Sequence, residues 1–218
     1  MTPGMDKGLR SVLHGRTISP RGGDMAEPRL AGILYGTGDG PRIDDLLVAL
    51  VERLRASGLR LAGAIQHNTD GGDRCRCDMT LEDLASGQRI DISEKRGPES
   101  RGCRLDSFAL EASVGLVTQS LSEPRDLVIL NRFGKREAEG HGFRQVIDQA
   151  IAADVAVLIA VAEGQQEAWE KFTGSYADSL PVDLGAIIGW CDQAVAETAS
   201  RMGEPDQARS TPGHLLDA

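Results

Sequence analysis

A six-residue apolar run, Leu30-Ala-Gly-Ile-Leu-Tyr35, leads directly into Gly36-Thr37-Gly38-Asp39-Gly40-Pro41, and a helical period follows at once. Few folds accept that order. A short continuous apolar run bounded by turn residues reads as a strand buried on both faces. From Arg42 the apolar residues Ile43, Leu46, Leu47, Leu50, Val51 and Leu54 recur at three- and four-residue intervals, the spacing of one helix face. Gly58 ends that helix, and Leu59 to Ile65 reads as a second strand. Strand, glycine loop, helix and strand in this order predict a right-handed parallel crossover.

The same alternation continues. Asp78 to Ala85 and Gln88 to Ser93 alternate with period two around Ser86-Gly87, a hairpin signal. Ser107 to Leu121 reads as a helix and Asp126-Leu-Val-Ile-Leu-Asn131 as the clearest buried strand. Phe143, Val146, Ile147, Ala150 and Ile151 mark another helix, and Val155 to Val161 another buried strand. Gln165 to Phe172 and Asp183 to Glu197 read as closing helices, with Trp169 and Trp190 as packing anchors. The predicted fold is α/β, a mainly parallel sheet with helices on both faces and an inserted β-hairpin. It occupies residues 29–199, between a Gly-, Pro-, Arg- and Ser-rich arm over 1–28 and a tail over 200–218.

Composition narrows the class of function. The 218 residues carry a net charge of -9, so a broad basic face for nucleic acid or for an anionic membrane is not expected. No run approaches the roughly 20 apolar residues of a membrane span, and no apolar run near the N-terminus resembles a signal peptide, so the cytoplasm is the expected compartment. Four cysteines are too few to staple a chain of this length.

Within that frame the glycine loop is the first candidate site. In α/β proteins such a loop lets the backbone approach a phosphate while free amides at the helix start attract the anion. Gly36, Thr37, Gly38, Asp39 and Gly40 occupy that place. A P-loop needs Gly-Lys-[Ser/Thr] at the helix start, whereas this chain has Gly40-Pro41-Arg42. The phosphate-neutralising lysine and the magnesium-holding hydroxyl are both replaced, with Arg42 the remaining positive charge. Nucleotide hydrolases also end a buried strand in an acid that holds magnesium through water. Here that strand ends in Asn131, followed by Arg132 and, three residues on, Lys135. Two losses at the two places where metal and phosphate chemistry would meet predict binding without hydrolysis. An active hydrolase would need Asp39, Asp44 or Glu137 in the missing acid's place.

A second cluster flanks the hairpin, just before and after it: Arg74, Arg76, Cys77, Arg96, Arg101, Cys103 and Arg104. Guanidinium groups bind oxyanions through paired hydrogen bonds, so Arg76, Arg101 and Arg104 with Cys77 and Cys103 can close over an anion. The same arginines can instead pair with Asp78, Glu82, Glu94 and Glu99 on a solvated surface. Two thiolates could hold a soft metal or act as a redox pair, but the spacing is a weak match to a zinc site. No catalytic residues and no metal ligands are assigned.

Several segments resemble the bacterial family known as domain of unknown function 2478. They are Leu30 to Gly40, Cys77 to Gly87, Arg101-Gly-Cys-Arg-Leu-Asp106, Leu127 to Lys135, Glu137 to Gly140 and Gly142-Phe143. The resemblance spans roughly residues 30 to 192 and implies a place in molybdenum metabolism. It implies a nucleotide or molybdate as ligand, and a molybdenum transporter or cofactor-assembly protein as partner. More distantly, Asn131-Arg132-Phe133-Gly134-Lys135 is similar to the strand end of small P-loop nucleoside triphosphatases, which read Asp-Glu-X-Gly-Lys there; both acids are missing. The expectation is a non-hydrolytic nucleotide- or oxyanion-binding protein with a degenerate P-loop. The alternatives are an active nucleoside triphosphatase with atypical motifs and an adaptor without a ligand.

Overall fold

The structure is a computed structural model and describes residues 29–70, 77–93, 105–174 and 176–203. Its elements follow in the order β1 (Leu30–Tyr35), α1 (Gly40–Ala56), β2 (Leu61–Asp70), β3 (Cys77–Asp83), β4 (Arg89–Asp91), α2 (Ser107–Ser120), β5 (Leu127–Phe133), α3 (Lys135–Ala138), α4 (Arg144–Ala152), β6 (Ala156–Ala162), α5 (Gln166–Thr173), β7 (Asp178–Leu180) and α6 (Leu184–Gly203). The strands form one sheet in the order β4-β3-β2-β5-β6-β1-β7. From β2 to β7 neighbouring strands are parallel, and the β2–β3 and β3–β4 pairs are antiparallel.

The apolar runs lie where both faces of the sheet are covered. β5 and β6 read LVILNRF and AVLIAVA, and Leu127 to Leu130 and Ala156 to Val161 are all buried. Ile43, Leu47, Leu50 and Leu54 of α1 and Ile187, Cys191 and Ala194 of α6 cover one face. Leu110, Val114 and Val117 of α2, Val146 and Ile147 of α4, and Trp169 of α5 cover the other. Each fully buried aliphatic side chain contributes about 1.5–3 kcal/mol relative to exposure, so these two layers carry the fold. Trp169 packs edge-on against Phe133 at 5.2 Å between ring centres. Trp190 is half-buried and donates from Nε1 to Asp178 Oδ2 at 2.8 Å, tying α6 to the edge strand β7.

Local chemistry explains the element boundaries. Asp106 caps α2 by accepting from the amides of Phe108 and Ala109. Gly63 has φ +109°, and a Cβ there would stand 1.9 Å from the Ile129 carbonyl oxygen, so only glycine lets β2 pair with β5. The buried carboxylate of Glu137 accepts from the amides of Gly134 and Phe143, fixing the chain on both sides of α3.

Three features position the site. β1 and β2 are parallel but not neighbours, because β5 and β6 lie between them. β2 pairs with β5 only through Leu61–Ala64 and continues to Asp70 paired with β3. A three-stranded antiparallel extension therefore rises past the carboxyl ends of the parallel strands, where the glycine loop also lies. Finally, β5 carries a bulge: Leu130 pairs with Ile159 but Phe133 with Val161, so three steps on β5 match two on β6. A bulge re-aims side chains. Val128 and Leu130 pack on the α2 face, and strict alternation would put residue 132 there as well. Instead Phe133 packs on that face and Arg132 turns toward α1.

Candidate functional site

The glycine loop closes as a tight turn, with the Asp39 amide donating to the Gly36 carbonyl at 3.2 Å and Gly38 at φ +94°. α1 starts at Gly40, its Asp39 cap makes no side-chain capping bond, and no acid lies in its first turn. Ile43 donates to the Asp39 carbonyl, and Pro41 has no N–H. Among the described residues the amides of Gly40 and Arg42 donate to no backbone carbonyl. These unmatched donors and the positive end of the helix dipole make the mouth of α1 electropositive.

Arg132 adds to that charge. A Cβ on Gly40 would stand 3.5 Å from its Nη2, so the guanidinium lies directly against the first residue of α1. Nη2 donates to both carboxylate oxygens of Asp44, each at 2.8 Å. Asp44 is 3 % exposed, and Nε of Arg132 is buried without a hydrogen-bond partner. The pair thus uses one guanidinium nitrogen rather than the two-nitrogen fork that arginine can offer. Removing Arg132 would leave the buried Asp44 carboxylate uncompensated, which costs about 3 kcal/mol, whereas the partly exposed guanidinium is less costly to leave alone.

The pair extends into β2. Asn68 Nδ2 donates to Asp44 Oδ2 at 2.6 Å, and Gln66 Nε2 donates to Asn68 Oδ1 at 2.6 Å. The Gln66 amide donates to Asn131 Oδ1 at 3.1 Å, and Asn131 Nδ2 faces Gln66 Oε1 at 3.5 Å. The buried Tyr35 at the end of β1 senses the same charges. Burial raises its hydroxyl pKa above the ordinary value, Arg132 opposes that rise and Asp44 adds to it.

Of the three residues expected on the wall facing the loop, Arg132 is the one brought to it. Asn131 is buried, with its carboxamide engaged by Gln66 of β2. Lys135 begins α3 with its side chain 82 % exposed, 3.7 Å from Glu139. Gly36, Thr37, Gly38, Asp39 and Gly40 form the turn and helix start, and Arg42 is exposed one residue beyond Pro41. Cys77 is the first residue of β3, opposite Asp70 at the far end of the extension. Arg76, Arg101, Cys103 and Arg104 lie outside the described residues. Asp44, Asn68 and Gln66 carry the site's polar network. Their one sequence signal is Asp44 itself, three residues before Leu47 and seven before Val51, which places a carboxylate on the apolar stripe of α1 and demands a buried partner.

Two further polar features adjoin the site. A hollow of about 240 Å³ between α1 and β2 is lined by Asp44, Asp45, Glu52, Gln66, His67 and Asn68 among others. Three carboxylates give it the wrong sign for an anion, and no glycine-loop residue lines it. Beside the hollow, on β3, the buried Glu82 accepts from Arg55 Nη1 at 2.8 Å and Arg89 Nη2 at 3.0 Å, and pairs with His67 Nε2 at 2.8 Å. Burial alone would raise the Glu82 pKa, but the bonds from Arg55, Arg89 and His67 outweigh it and hold the carboxyl below the ordinary range. Glu82 thus ties α1, β2 and β4 to β3. Among the described residues no three His, Cys, Asp or Glu side chains are placed to hold a metal ion, and no helix is long and apolar enough to cross a membrane.

A mainly parallel α/β sheet whose first strand opens through a glycine loop into a helix defines the class of protein. The chain belongs to the family described as Protein of unknown function (DUF2478), whose model matches residues 30–190. It is 35% identical over 198 residues to the protein named molybdenum import ATP-binding protein ModC 2 of Bradyrhizobium diazoefficiens. That match covers 90% of this chain but 21% of the relative, so it corresponds to about one fifth of a longer protein. No solved structure matches the chain.

Proposed function

We propose that this chain is a P-loop-like module that binds a nucleotide or a tetrahedral oxyanion without hydrolysing it, in the service of molybdate import or use in the cytoplasm. The observation that carries this reading is the convergence at the mouth of α1. Two unmatched amides, the helix dipole and the Arg132 guanidinium meet at the carboxyl edge of a mainly parallel sheet. The name of the relative, a molybdenum import ATP-binding protein, supports the metabolic setting.

The replacements favour binding over catalysis. Pro41 and Arg42 stand where lysine and a hydroxyl would be needed, and Asn131 is engaged by β2 rather than open to a metal. Asp44 is neutralised by Arg132, and both oxygens of Glu137 accept backbone amides.

Calorimetric titration with ATP, GTP, molybdate and tungstate, paired with a phosphate-release assay with and without magnesium, tests the proposal. Saturable binding of one of these anions with no release above background is expected. Release that depends on magnesium and on the protein would overturn the non-hydrolytic reading, and absence of binding to all four would overturn the anion site. The match to a fifth of a longer relative favours one second reading, an accessory module that regulates an attached or associated import ATPase. Co-purification with such a protein that is unaffected by substitution of Arg132 would support it.

A further inference from the structure

We propose that Asp44 is a built-in competitor for the ligand anion, and that its displacement from Arg132 transmits binding to the β2–β3 extension. The inference rests on the reading that an anion binds at the mouth of α1.

In the structure Arg132 already has an anionic partner. Its Nη2 is shared between both oxygens of Asp44, while its buried Nε has no partner. A guanidinium with an orphaned buried donor is incompletely satisfied, and a buried unmatched donor is costly. An oxyanion against the Gly40 and Arg42 amides would lie beside the same guanidinium and compete for Nη2, the nitrogen nearest Gly40 and the one that holds Asp44. It would also face the Asp44 carboxylate with like charge. Both effects set the ligand against the Asp44–Arg132 bond, so binding is linked to opening that bond.

Opening has a defined consequence. Asp44 Oδ2 accepts from Asn68 Nδ2 at 2.6 Å, and Asn68 lies on β2 beyond its last pair with β5. There β2 is held by β3 and by the side-chain chain Asp44–Asn68–Gln66. When Asp44 leaves Arg132, the anchor of the extension changes. The far end of that extension begins with Cys77. The extension is thus placed to report an occupied site to whatever contacts it.

The test titrates molybdate, inorganic phosphate and ATP separately into the full chain and into Asp44→Asn. The variant keeps the size of the side chain and its bond with Asn68 but removes the charge that holds Arg132. The expected result is tighter binding of at least one anion, by about tenfold or more, from losing both a competitor and a like charge. The gain is expected to vanish in Asp44→Asn combined with Arg132→Gln. Binding to the native chain with no gain in the variant overturns the competitor role alone. Absence of binding in both overturns the anion site itself. A second measurement needs no variant: hydrogen exchange of the native chain with saturating ligand is expected to rise at residues 66–70. Unchanged or slower exchange there, with binding intact, overturns the transmission.

Discussion

Arg132 Nη2 lies 2.8 Å from each carboxylate oxygen of Asp44, although 88 positions separate the two residues in the chain. The contact joins the end of β5 to the second turn of α1 and is buried on the Asp44 side. A half-removed pair of this kind is worse than no pair. Arg132→Met is therefore expected to lower stability by about 3 kcal/mol, and adding Asp44→Asn is expected to restore part of the loss. A double-mutant cycle in urea measures this as a coupling of at least about 1 kcal/mol. Strict additivity would show that the contact is energetically silent.

The Glu82 cluster makes a prediction about pH. Its folded pKa lies below the ordinary value of 4.5, through the bonds that outweigh burial. A depressed carboxyl stabilises the folded state above its unfolded pKa and loses that contribution as pH falls through the folded value. The native chain should therefore lose stability as pH drops below about 4.5, and Glu82→Gln should show a shallower loss across that window. The slope should not vanish, because the bond from Arg60 holds Asp126 below its ordinary value of 3.8 as well. Urea midpoints measured at intervals from about pH 6 downward, over roughly three units, would check both statements.

Two glycines should respond in opposite directions to alanine. Gly63→Ala forces a left-handed φ on a side chain and drives Cβ into the Ile129 carbonyl, so a loss of at least about 2 kcal/mol is expected. Gly115 is exposed inside α2 with open space around the missing Cβ, so Gly115→Ala should add about 0.5–1 kcal/mol. Thermal melting of both variants reads the contrast directly.

Cys191 should be chemically silent in the folded chain. It is fully buried in the α1–α6 layer, and burial, aided by Asp192, pushes its thiol up to about 12. At about pH 8 roughly one thiol in ten thousand would be ionised, and the thiolate is the reactive form. Iodoacetamide labelling followed by peptide mass spectrometry should leave the Cys191 peptide unmodified until denaturant is added.

Much of the fold is legible in the sequence because burial on both sides of a parallel strand demands an unbroken apolar run. Leu30 to Tyr35, Leu127 to Leu130 and Ala156 to Val161 supply such runs, and the i, i+3, i+4 spacing from Ile43 marks α1 in the same way. Short elements without periodicity escape: β7 has three residues and α3 four, and β2 runs five residues past Ile65 through polar Gln66, His67 and Asn68. Strand order is not written locally, since the neighbours of β1 are β6 and β7 from the far end of the chain. The site divides likewise. The glycine loop and Arg132 are visible as motifs, whereas the bulge that turns Arg132 toward α1 depends on how β5 meets β6. The partners of Glu82 illustrate the same limit: Arg55 and His67 reach it from α1 and β2, a convergence that no local pattern announces.

Anion binding at the mouth of α1 through Arg132 is the central claim. Side-by-side calorimetric titration of the native chain and Arg132→Gln with molybdate, phosphate, ATP and GTP tests it most directly, with circular dichroism confirming that the variant is folded. Saturable binding of at least one of these anions to the native chain is predicted, with a loss of about tenfold or more in the variant. Equal affinity in the two proteins, or no binding to either, would contradict it.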